Sequence, residues 1–232
     1  MSGLIATELS YAWHLRREVV PALRDFGATF ECGVPHLICG PSGSGKTTLS
    51  LLLAGLLKPD SGSVSLDGTP VSERRSETAY VFQFPENIFF EDSVRIEFAQ
   101  VVGPSRNGTA VSYLERIGIP FPQIADTHPF HLSEGYGRLV ATVLQVAREP
   151  QVLVLDEPTI GLDWHFHERM IDLVRQCVQP DRILIIVTHD VDFMRDIGGR
   201  ARVLVEGRLA WSGETSDLLA QPPLLRQFGL KA

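Results

Sequence analysis

Two uninterrupted apolar runs give the strongest pattern in the chain, Val152–Leu155 and Ile183–Val187. Runs of leucine and β-branched residues without polar alternation are typical of strands that are buried on both faces of a parallel sheet. A helical pattern at about 163–177 separates the two runs. Strand, helix and strand in this order predict an α/β fold built on a parallel sheet.

Weaker patterns extend this prediction along the rest of the chain. Strands are expected at 4–9 and 27–40 around a polar segment, at 63–68, at 79–82, and as a hairpin over 201–211 that turns at Glu206-Gly207-Arg208. The middle of the chain is mostly helical in pattern, with breaks at Gly103-Pro104 and at 119–122. We therefore expect one domain over 1–232, in which a core at about 1–90 and 149–232 carries a helical insertion at about 91–148.

Composition limits the possible functions without selecting one. The 232 residues are 44% hydrophobic and 21% charged, which are ordinary values for a globular protein, and the net charge of −7 argues against a broad nucleic-acid surface. No apolar run approaches the roughly 20 residues needed to span a bilayer. The first residues lack the pattern of a signal peptide. Three scattered cysteines indicate neither a disulfide framework nor a zinc site, so we expect a reduced, cytosolic protein.

A glycine-rich loop carries the most specific chemistry. The segment 40–48 fits G-x-x-x-x-G-K-[ST], the phosphate-binding P-loop, and lies between an apolar strand pattern and an apolar helix start. In such a loop the backbone N–H groups point at phosphate oxygens, the lysine reaches the outer phosphates and the threonine hydroxyl ligates Mg²⁺. The expected nucleotide-binding residues are Gly40, Pro41, Ser42, Gly43, Ser44, Gly45, Lys46, Thr47 and Thr48, with Thr47 also a metal ligand.

Two carboxylates and a histidine follow the two buried runs. Asp156 and Glu157 end the first run, and His189 closely follows the second. A strand end beside a P-loop is where a Mg²⁺-binding acid belongs, so we expect Asp156 to hold the metal, through water. We expect Glu157 to be the general base that orients and polarises the attacking water. His189 is expected to contact the γ-phosphate and to hold that water and the carboxylate in place. The alternative is that these strands simply end in solvated polar residues.

Gln83 follows the predicted strand at 79–82. A glutamine at such a position can ligate Mg²⁺ and transmit the nucleotide state to a neighbouring surface. We therefore expect Gln83 to belong both to the metal shell and to the catalytic machinery.

The order of these motifs resembles the nucleotide-binding subunit of an ABC transporter over essentially the whole chain. A signature at Leu132–Tyr136 and a D-loop at Gly161–Asp163 complete the family's set. The resemblance implies a P-loop ABC ATPase fold, with a RecA-like core, an antiparallel β subdomain and an inserted α-helical subdomain. It also implies binding of ATP and Mg²⁺, hydrolysis of ATP to ADP and phosphate coupled to transport, and a second ABC ATPase subunit, identical or related.

Further nucleotide contacts are implied by the resemblance alone. Ser133 and Gly135 of the signature are expected to reach the γ-phosphate bound to the opposite subunit, and Asp163 to contact the facing subunit. Tyr11 lies where the family places an aromatic side chain on the adenine ring, with Trp13 as the nearby competitor. An aromatic residue in this position is otherwise usually part of the core.

The segment around Gln83 resembles one particular branch of this family. Val81–Asn87 followed by Phe89–Val94 is similar to the energy-coupling factor (ECF) branch, which imports vitamins or transition-metal ions. The branch implies a peripheral location at the cytoplasmic face of the membrane and a polytopic membrane subunit that contacts residues 84–98. The alternative for the apolar residues of that region is packing inside their own helical part. No nucleic-acid partner is expected.

Other functions stay open at this point. The chain is also compatible with an ATPase of another ABC importer or exporter class, and with a soluble ABC-type ATPase of DNA repair or translation. A stand-alone P-loop kinase is a third possibility, although it would not explain the signature or the residues around His189.

The signature departs from the family pattern Leu-Ser-Gly-Gly-Gln, because Glu134 and Tyr136 replace a glycine and the glutamine. Two like charges about 4 Å apart repel by roughly 1 to 4 kcal/mol. An acid in the first turn of a helix is instead favourable by about 0.3–1 kcal/mol. We therefore expect Glu134 to face away from the nucleotide. Its replacement by glycine should leave ATP binding intact and change turnover by less than about tenfold.

Overall fold

A six-stranded sheet forms the centre of the structure, a computed structural model that describes residues 3–16, 18–84 and 88–230. In spatial order its strands are β10 (Arg208–Glu214), β9 (Arg200–Val205), β3 (Pro35–Cys39), β8 (Ile183–Val187), β7 (Val152–Asp156) and β6 (Thr78–Val81). The strands from β9 to β6 run parallel, and β10 returns antiparallel to β9. Both apolar runs are therefore parallel strands in the middle of the sheet, as the sequence predicts.

The central strands are buried on both faces because alternate side chains pack into two separate hydrophobic clusters. On β7, Leu153 and Leu155 belong to one cluster, whereas Val152 and Val154 belong to the other. All four side chains have no solvent exposure. This packing explains why the run contains no polar residue.

A second, antiparallel sheet covers one face of the first. Its order is β2 (Glu18–Glu31), β1 (Gly3–Leu15), β4 (Ser61–Leu66) and β5 (Thr69–Pro70). The prediction of one strand over 27–40 is wrong, because β2 ends at Glu31 and β3 begins at Pro35 in the other sheet. Gly33, with a φ of +78°, makes the turn between them. The polar segment expected between two strands belongs to the long hairpin of β1 and β2.

Helices cover the sheets and fill the middle of the chain. They are α1 (Lys46–Leu53), α2 (Val94–Val101), α3 (Asn107–Arg116), α4 (Phe121–Ile124), α5 (Glu134–Val146), α6 (Trp164–Cys177), α7 (Val191–Ile197), α8 (Thr215–Leu219) and α9 (Pro222–Gln227). Ser93, Ser133, Asp163 and Asp190 each accept a backbone N–H bond at the start of a helix. No helix in the described residues has the length and apolar character needed to cross a membrane.

The candidate chemistry gathers at one edge of the central sheet. Because β3, β6, β7 and β8 are parallel, their carboxyl ends lie at the same edge. The P-loop follows β3, Gln83 follows β6, Glu157 follows β7 and His189 follows β8. Four segments that are far apart in sequence therefore meet in one place.

Candidate functional site

The P-loop connects β3 to α1. Its backbone conformation requires glycine at two positions, where a side chain would clash with neighbouring strands. A Cβ on Gly40 would lie 2.1 Å from the carbonyl oxygen of Leu204, and one on Gly45 would lie 2.3 Å from that of Ala22. Both glycines also have positive φ, +135° and +98°. The loop is therefore held tightly between β9 and β2, with its shape set by backbone contacts.

Lys46 lies across this loop. Its Nζ donates to the carbonyl oxygens of Gly40 and Pro41, at 2.9 Å each. Burial lowers the pKa of Lys46 below its ordinary value, although the carboxylates of Glu157 and Asp156 act in the opposite direction. The side chain thus brings a desolvated positive charge to the loop, next to two acids.

Asp156 occupies the buried end of β7, where it is 4% exposed. Its Oδ2 accepts a 2.8 Å bond from the Tyr80 hydroxyl, which also contacts the Ser50 hydroxyl at 2.8 Å. Its Oδ1 is buried and has no hydrogen-bond partner within the described part of the chain. Burial raises the pKa of Asp156, and the hydroxyls of Tyr80 and Thr47 partly offset that effect. A buried carboxylate with one oxygen left without a hydrogen bond can act as a ligand of a cation.

Glu157 and His189 form a direct pair. Nδ1 of His189 lies 2.8 Å from Oε1 of Glu157. Glu157 has a left-handed backbone with φ of +50°, and its N–H donates to the carbonyl oxygen of Val187 at 2.9 Å. The Glu157 side chain lines the cavity, whereas Asp156 is not among the cavity's lining residues. The side chain of Glu157 is 13% exposed, whereas that of His189 is 59% exposed.

A cavity of about 760 Å³ unites these elements. Its size is within the roughly 300–1,000 Å³ of small-molecule sites. The whole segment 40–48 lines it, together with Gln83, Glu157, His189, Trp13, Ile160, Gly229 and residues 20–22. The structure thus brings the predicted P-loop, glutamine, glutamate and histidine around one space, with Asp156 beneath them.

Among the described residues that line this cavity, Trp13 supplies the aromatic ring large enough to stack on a base, and Tyr11 does not line it. Trp13 lines the cavity, and its Nε1 donates to Oγ1 of Thr48 at 3.2 Å. Tyr11 packs edge-on against Trp13, with ring centroids 5.2 Å apart, and contacts the hydrophobic cluster beneath the antiparallel sheet. Tyr11 therefore packs against the indole, whereas Trp13 itself lines the cavity.

Ser133, Gly135 and Asp163 lie outside the residues that line this cavity. Ser133 and Asp163 cap α5 and α6; the Asp163 carboxylate accepts N–H bonds from His165 and Phe166 at 3.0 Å each. Gly135 is buried, and a Cβ there would lie 2.4 Å from the Phe166 ring. The signature and D-loop thus pack against each other, away from the chain's own P-loop.

Glu134 forms an ion pair within α5. Its Oε1 lies 3.1 Å from Nη2 of Arg138, one turn along the helix. The Glu134 side chain is 65% exposed, whereas that of Arg138 is 3% exposed. The negative charge introduced into the signature therefore has a cation beside it.

The residues present fit the Mg²⁺ predicted from the sequence. Mg²⁺ prefers one or two carboxylates, hydroxyl or amide oxygens, waters and substrate phosphates over an all-protein cage. Asp156 with its unpartnered Oδ1, the Thr47 hydroxyl and the Gln83 amide supply such oxygens.

Comparisons with known proteins agree with this geometry. The family model described as ABC transporter matches residues 23–160. The energy-coupling factor transporter ATP-binding protein EcfA2 of Symbiobacterium thermophilum is 35% identical over 225 residues, which cover 90% of this chain and 77% of that protein.

Solved structures also match. The cbiO1 protein of Clostridium perfringens, part of the ABC transporter complex cbiONQ, superposes with a TM-score of 0.79 at 30% identity and covers 98% of this chain and 94% of its own. The dimeric structure of MJ0796, a bacterial ABC transporter cassette, superposes with a TM-score of 0.80 over 91% of this chain and 98% of its own. At 23% identity, this second match shows the fold alone.

The predicted fold class, a RecA-like core with an antiparallel β subdomain and inserted helices, is confirmed by these matches and by the two sheets. The chain is therefore an ABC ATPase and belongs to the ABC transporter family, within which it is most similar to the ATP-binding subunits of energy-coupling factor transporters.

Proposed function

We propose that this chain binds and hydrolyses ATP to energise a membrane transporter of the ECF type, which takes up a vitamin or a transition-metal ion. The observation that carries the proposal is the 2.8 Å pair of His189 and Glu157 beside the P-loop cavity. Similarity to EcfA2 and cbiO1 supports the assignment to an uptake system.

ATP binding is assigned to the P-loop and Trp13. The N–H groups of the loop and the Lys46 ammonium contact the phosphates, and the Trp13 indole stacks on the adenine in the role expected for Tyr11. Thr47, Gln83 and Asp156 would hold Mg²⁺, which when bound neutralises charge on the β- and γ-phosphates.

Hydrolysis is assigned to Glu157 with His189. The Glu157 carboxylate accepts a proton from the attacking water, and the hydrogen bond from His189 holds that carboxylate at the cavity. His189 is more than half exposed, so it is free to contact the γ-phosphate as well. The strained backbone of Glu157 fixes where the base lies before substrate arrives.

A second ATPase subunit, identical or related, completes the site. Ser133 and Gly135 lie away from the chain's own cavity, at the start of a helix whose N–H groups attract anions. In the proposed dimer they contact the γ-phosphate on the partner, and Asp163 lies at the interface between the subunits. Similarity to a dimeric cassette fold is compatible with this assembly.

The membrane subunit is proposed to contact the region 84–98 from the cytoplasmic side. Within it Phe84, Phe90 and Ile96 are exposed, with Phe90 at 83%. Phe89 and Val94 are buried in the hydrophobic cluster instead, so the proposed contact is limited to the exposed residues of this region. Residues 85–87 of the proposed contact lie outside the described residues.

Replacing Glu157 with glutamine tests the hydrolytic assignment. Loss of a general base costs about 10²–10⁴ in rate, so the variant should bind ATP, hydrolyse it very slowly and accumulate as an ATP-bound dimer on size-exclusion chromatography. Hydrolysis at the wild-type rate would show that Glu157 is not the base.

Purification of the chain from native membranes tests the transport assignment. Co-purification with a polytopic membrane protein and a second ATPase is expected. Recovery without any membrane protein would favour a soluble ABC ATPase, and a phosphorylated product other than ADP and phosphate would favour a kinase.

A further inference from the structure

Arg138 is a buried cation that contacts two functional segments at once. It is 2% exposed and lies on α5, one turn after the signature. Its Nη2 donates to Oε1 of Glu134 at 3.1 Å, and its Nη1 donates to the main-chain carbonyl oxygen of Glu157 at 3.5 Å. One guanidinium therefore connects the signature with the residue that we propose as the base.

The contact with Glu157 falls on a strained residue. A non-glycine residue with φ near +50° is energetically unfavourable and persists when its surroundings hold it. The Glu157 carbonyl oxygen also accepts the N–H of Ile160 at 3.3 Å, which closes the turn. Arg138 is thus part of what fixes the direction of the Glu157 side chain.

The signature and the D-loop are in contact beyond this ion pair. The Glu134 carboxylate lies against Gly161, where a Cβ would be 2.8 Å from its Oε1. The Phe166 ring fills the space above Gly135 and packs edge-on against Tyr136, with centroids 5.1 Å apart. Residues 134–138 therefore contact residues 157–166 at several points.

We propose that Glu134 and Arg138 are positioning residues that couple the signature to the catalytic Glu157 of the same subunit. This inference rests on the proposed function, in which the signature contacts ATP held by the partner. Occupancy of the partner's site then acts, through Glu134 and Arg138, on the base of the chain's own site. Glu134 stands where the family signature has its first glycine. A glycine at this position would supply no carboxylate for Arg138.

A double-mutant cycle tests whether Glu134 acts through Arg138. Glu134→Gln is expected to lower kcat about two- to fivefold, in line with a partly exposed pair, and to leave KM for ATP unchanged. Arg138→Met, which keeps an unbranched side chain of similar length, is expected to lower kcat by about tenfold or more because the base loses its alignment.

In the Arg138→Met background, Glu134→Gln should have no further effect. Glu115→Gln, the same change at an exposed glutamate of α3, is the matched control and should leave both constants unchanged. Equal thermal unfolding of Glu134→Gln and the wild type excludes a folding defect. If the two substitutions multiply in their effects on kcat, Glu134 does not act through Arg138 and the proposal is wrong.

Mixed dimers separate the two sites. In the first dimer, one subunit carries Glu134→Gln and its partner carries glutamine in place of its catalytic glutamate. ATP is then hydrolysed only at the site of the Glu134→Gln subunit, and the partner's signature at that site is intact. In the second, Glu134→Gln and Glu157→Gln share one subunit, so turnover occurs only at the partner's site, opposite the altered signature. Each is compared with the same dimer without Glu134→Gln.

The proposal predicts a two- to fivefold lower kcat in the first dimer, by the same reasoning. If kcat of the first dimer is unchanged, the proposal is wrong whether or not the second dimer is slower, because Glu134 then has no effect on the base of its own subunit. Failure of the proposed function is distinguishable, since a wild-type chain that forms no ATP-dependent dimer or hydrolyses no ATP fails before Glu134 is changed.

Discussion

His36 makes the stability of this protein depend on pH in a direction that the structure determines. The side chain is fully buried on β3, the strand that leads into the P-loop. Its Nδ1 accepts from Nη1 of Arg202 at 3.0 Å, so the neutral ring carries its proton on Nε2, which lies 3.0 Å from the carbonyl oxygen and 2.9 Å from the backbone nitrogen of Glu31. A second proton would have to lie on Nδ1, directly facing a guanidinium.

The magnitude follows from the pKa of His36. Burial, with smaller contributions from Arg202 and Arg200, lowers this pKa from 6.5 to about 4. Between these values the unfolded chain binds a proton that the folded chain does not. Stability due to neutral His36 is therefore complete above pH 6.5 and is lost as pH falls toward 4. At 1.36 kcal/mol for each pH unit, the loss between pH 7.5 and 4.5 is roughly 2.5 kcal/mol.

Urea unfolding of the nucleotide-free protein at these two pH values measures the effect. Because other groups titrate in the same range, the quantity to compare is the free energy of unfolding of the wild type minus that of His36→Gln. This difference should fall by roughly 2.5 kcal/mol at pH 4.5, because glutamine does not titrate. His14→Gln, at an exposed position of β1, controls for the loss of a histidine. A wild-type minus His36→Gln difference that is the same at both pH values would refute the reasoning.

Two further predictions concern the nucleotide cavity. Trp13→Ala should weaken ATP binding by about fivefold or more, since loss of base stacking costs about 1–3 kcal/mol. Tyr11→Phe should leave the affinity for ATP nearly unchanged. Equilibrium nucleotide titration of both variants would show which aromatic side chain stacks on the adenine. Asp156→Asn should raise the Mg²⁺ concentration needed for ATP hydrolysis by at least about tenfold. Because burial raises the pKa of Asp156, the amide should not lower the urea midpoint of the nucleotide-free protein, and a variant with unaltered Mg²⁺ dependence would exclude Asp156 from the metal shell.

The sequence predicts the central sheet and the site on its edge well, because both depend on local signals. The apolar runs at 152–155 and 183–187 contain no polar residue that could face solvent, so both faces of these strands are expected to be buried, as they are. Parallel strands bring their carboxyl ends together, so the residues that follow them must be neighbours. This topology explains why Glu157 and His189, which follow adjacent strands, are close enough to form a hydrogen bond.

Trp13 and the boundary at residues 31–35 were harder to predict because they depend on contacts between segments. β1 has shifts in register between Leu9 and Tyr11 and again between Tyr11 and Ala12, so strict alternation does not hold between the two aromatic residues. Alternation along the sequence does not contain that information. Likewise, Gly33 and Pro35 mark a possible break, but only the pairing of β2 with β1 and of β3 with β8 shows that the chain changes sheets there.

The charges around the cavity explain why an acid in the signature is compatible with ATP. Among the described residues that line the cavity, Lys46 carries the permanent positive charge, and Asp156 and Glu157 lie close to it. A triphosphate adds several negative charges, so its binding is stabilised by a cation and, in the proposed dimer, by the N–H groups at the start of the partner's signature helix. An unpaired Glu134 would oppose that second contribution by roughly 1 to 4 kcal/mol at about 4 Å. Arg138 lies 3.1 Å from this carboxylate and also donates to the carbonyl oxygen of Glu157, so the acid that departs from the family pattern takes part in a contact between the signature and Glu157.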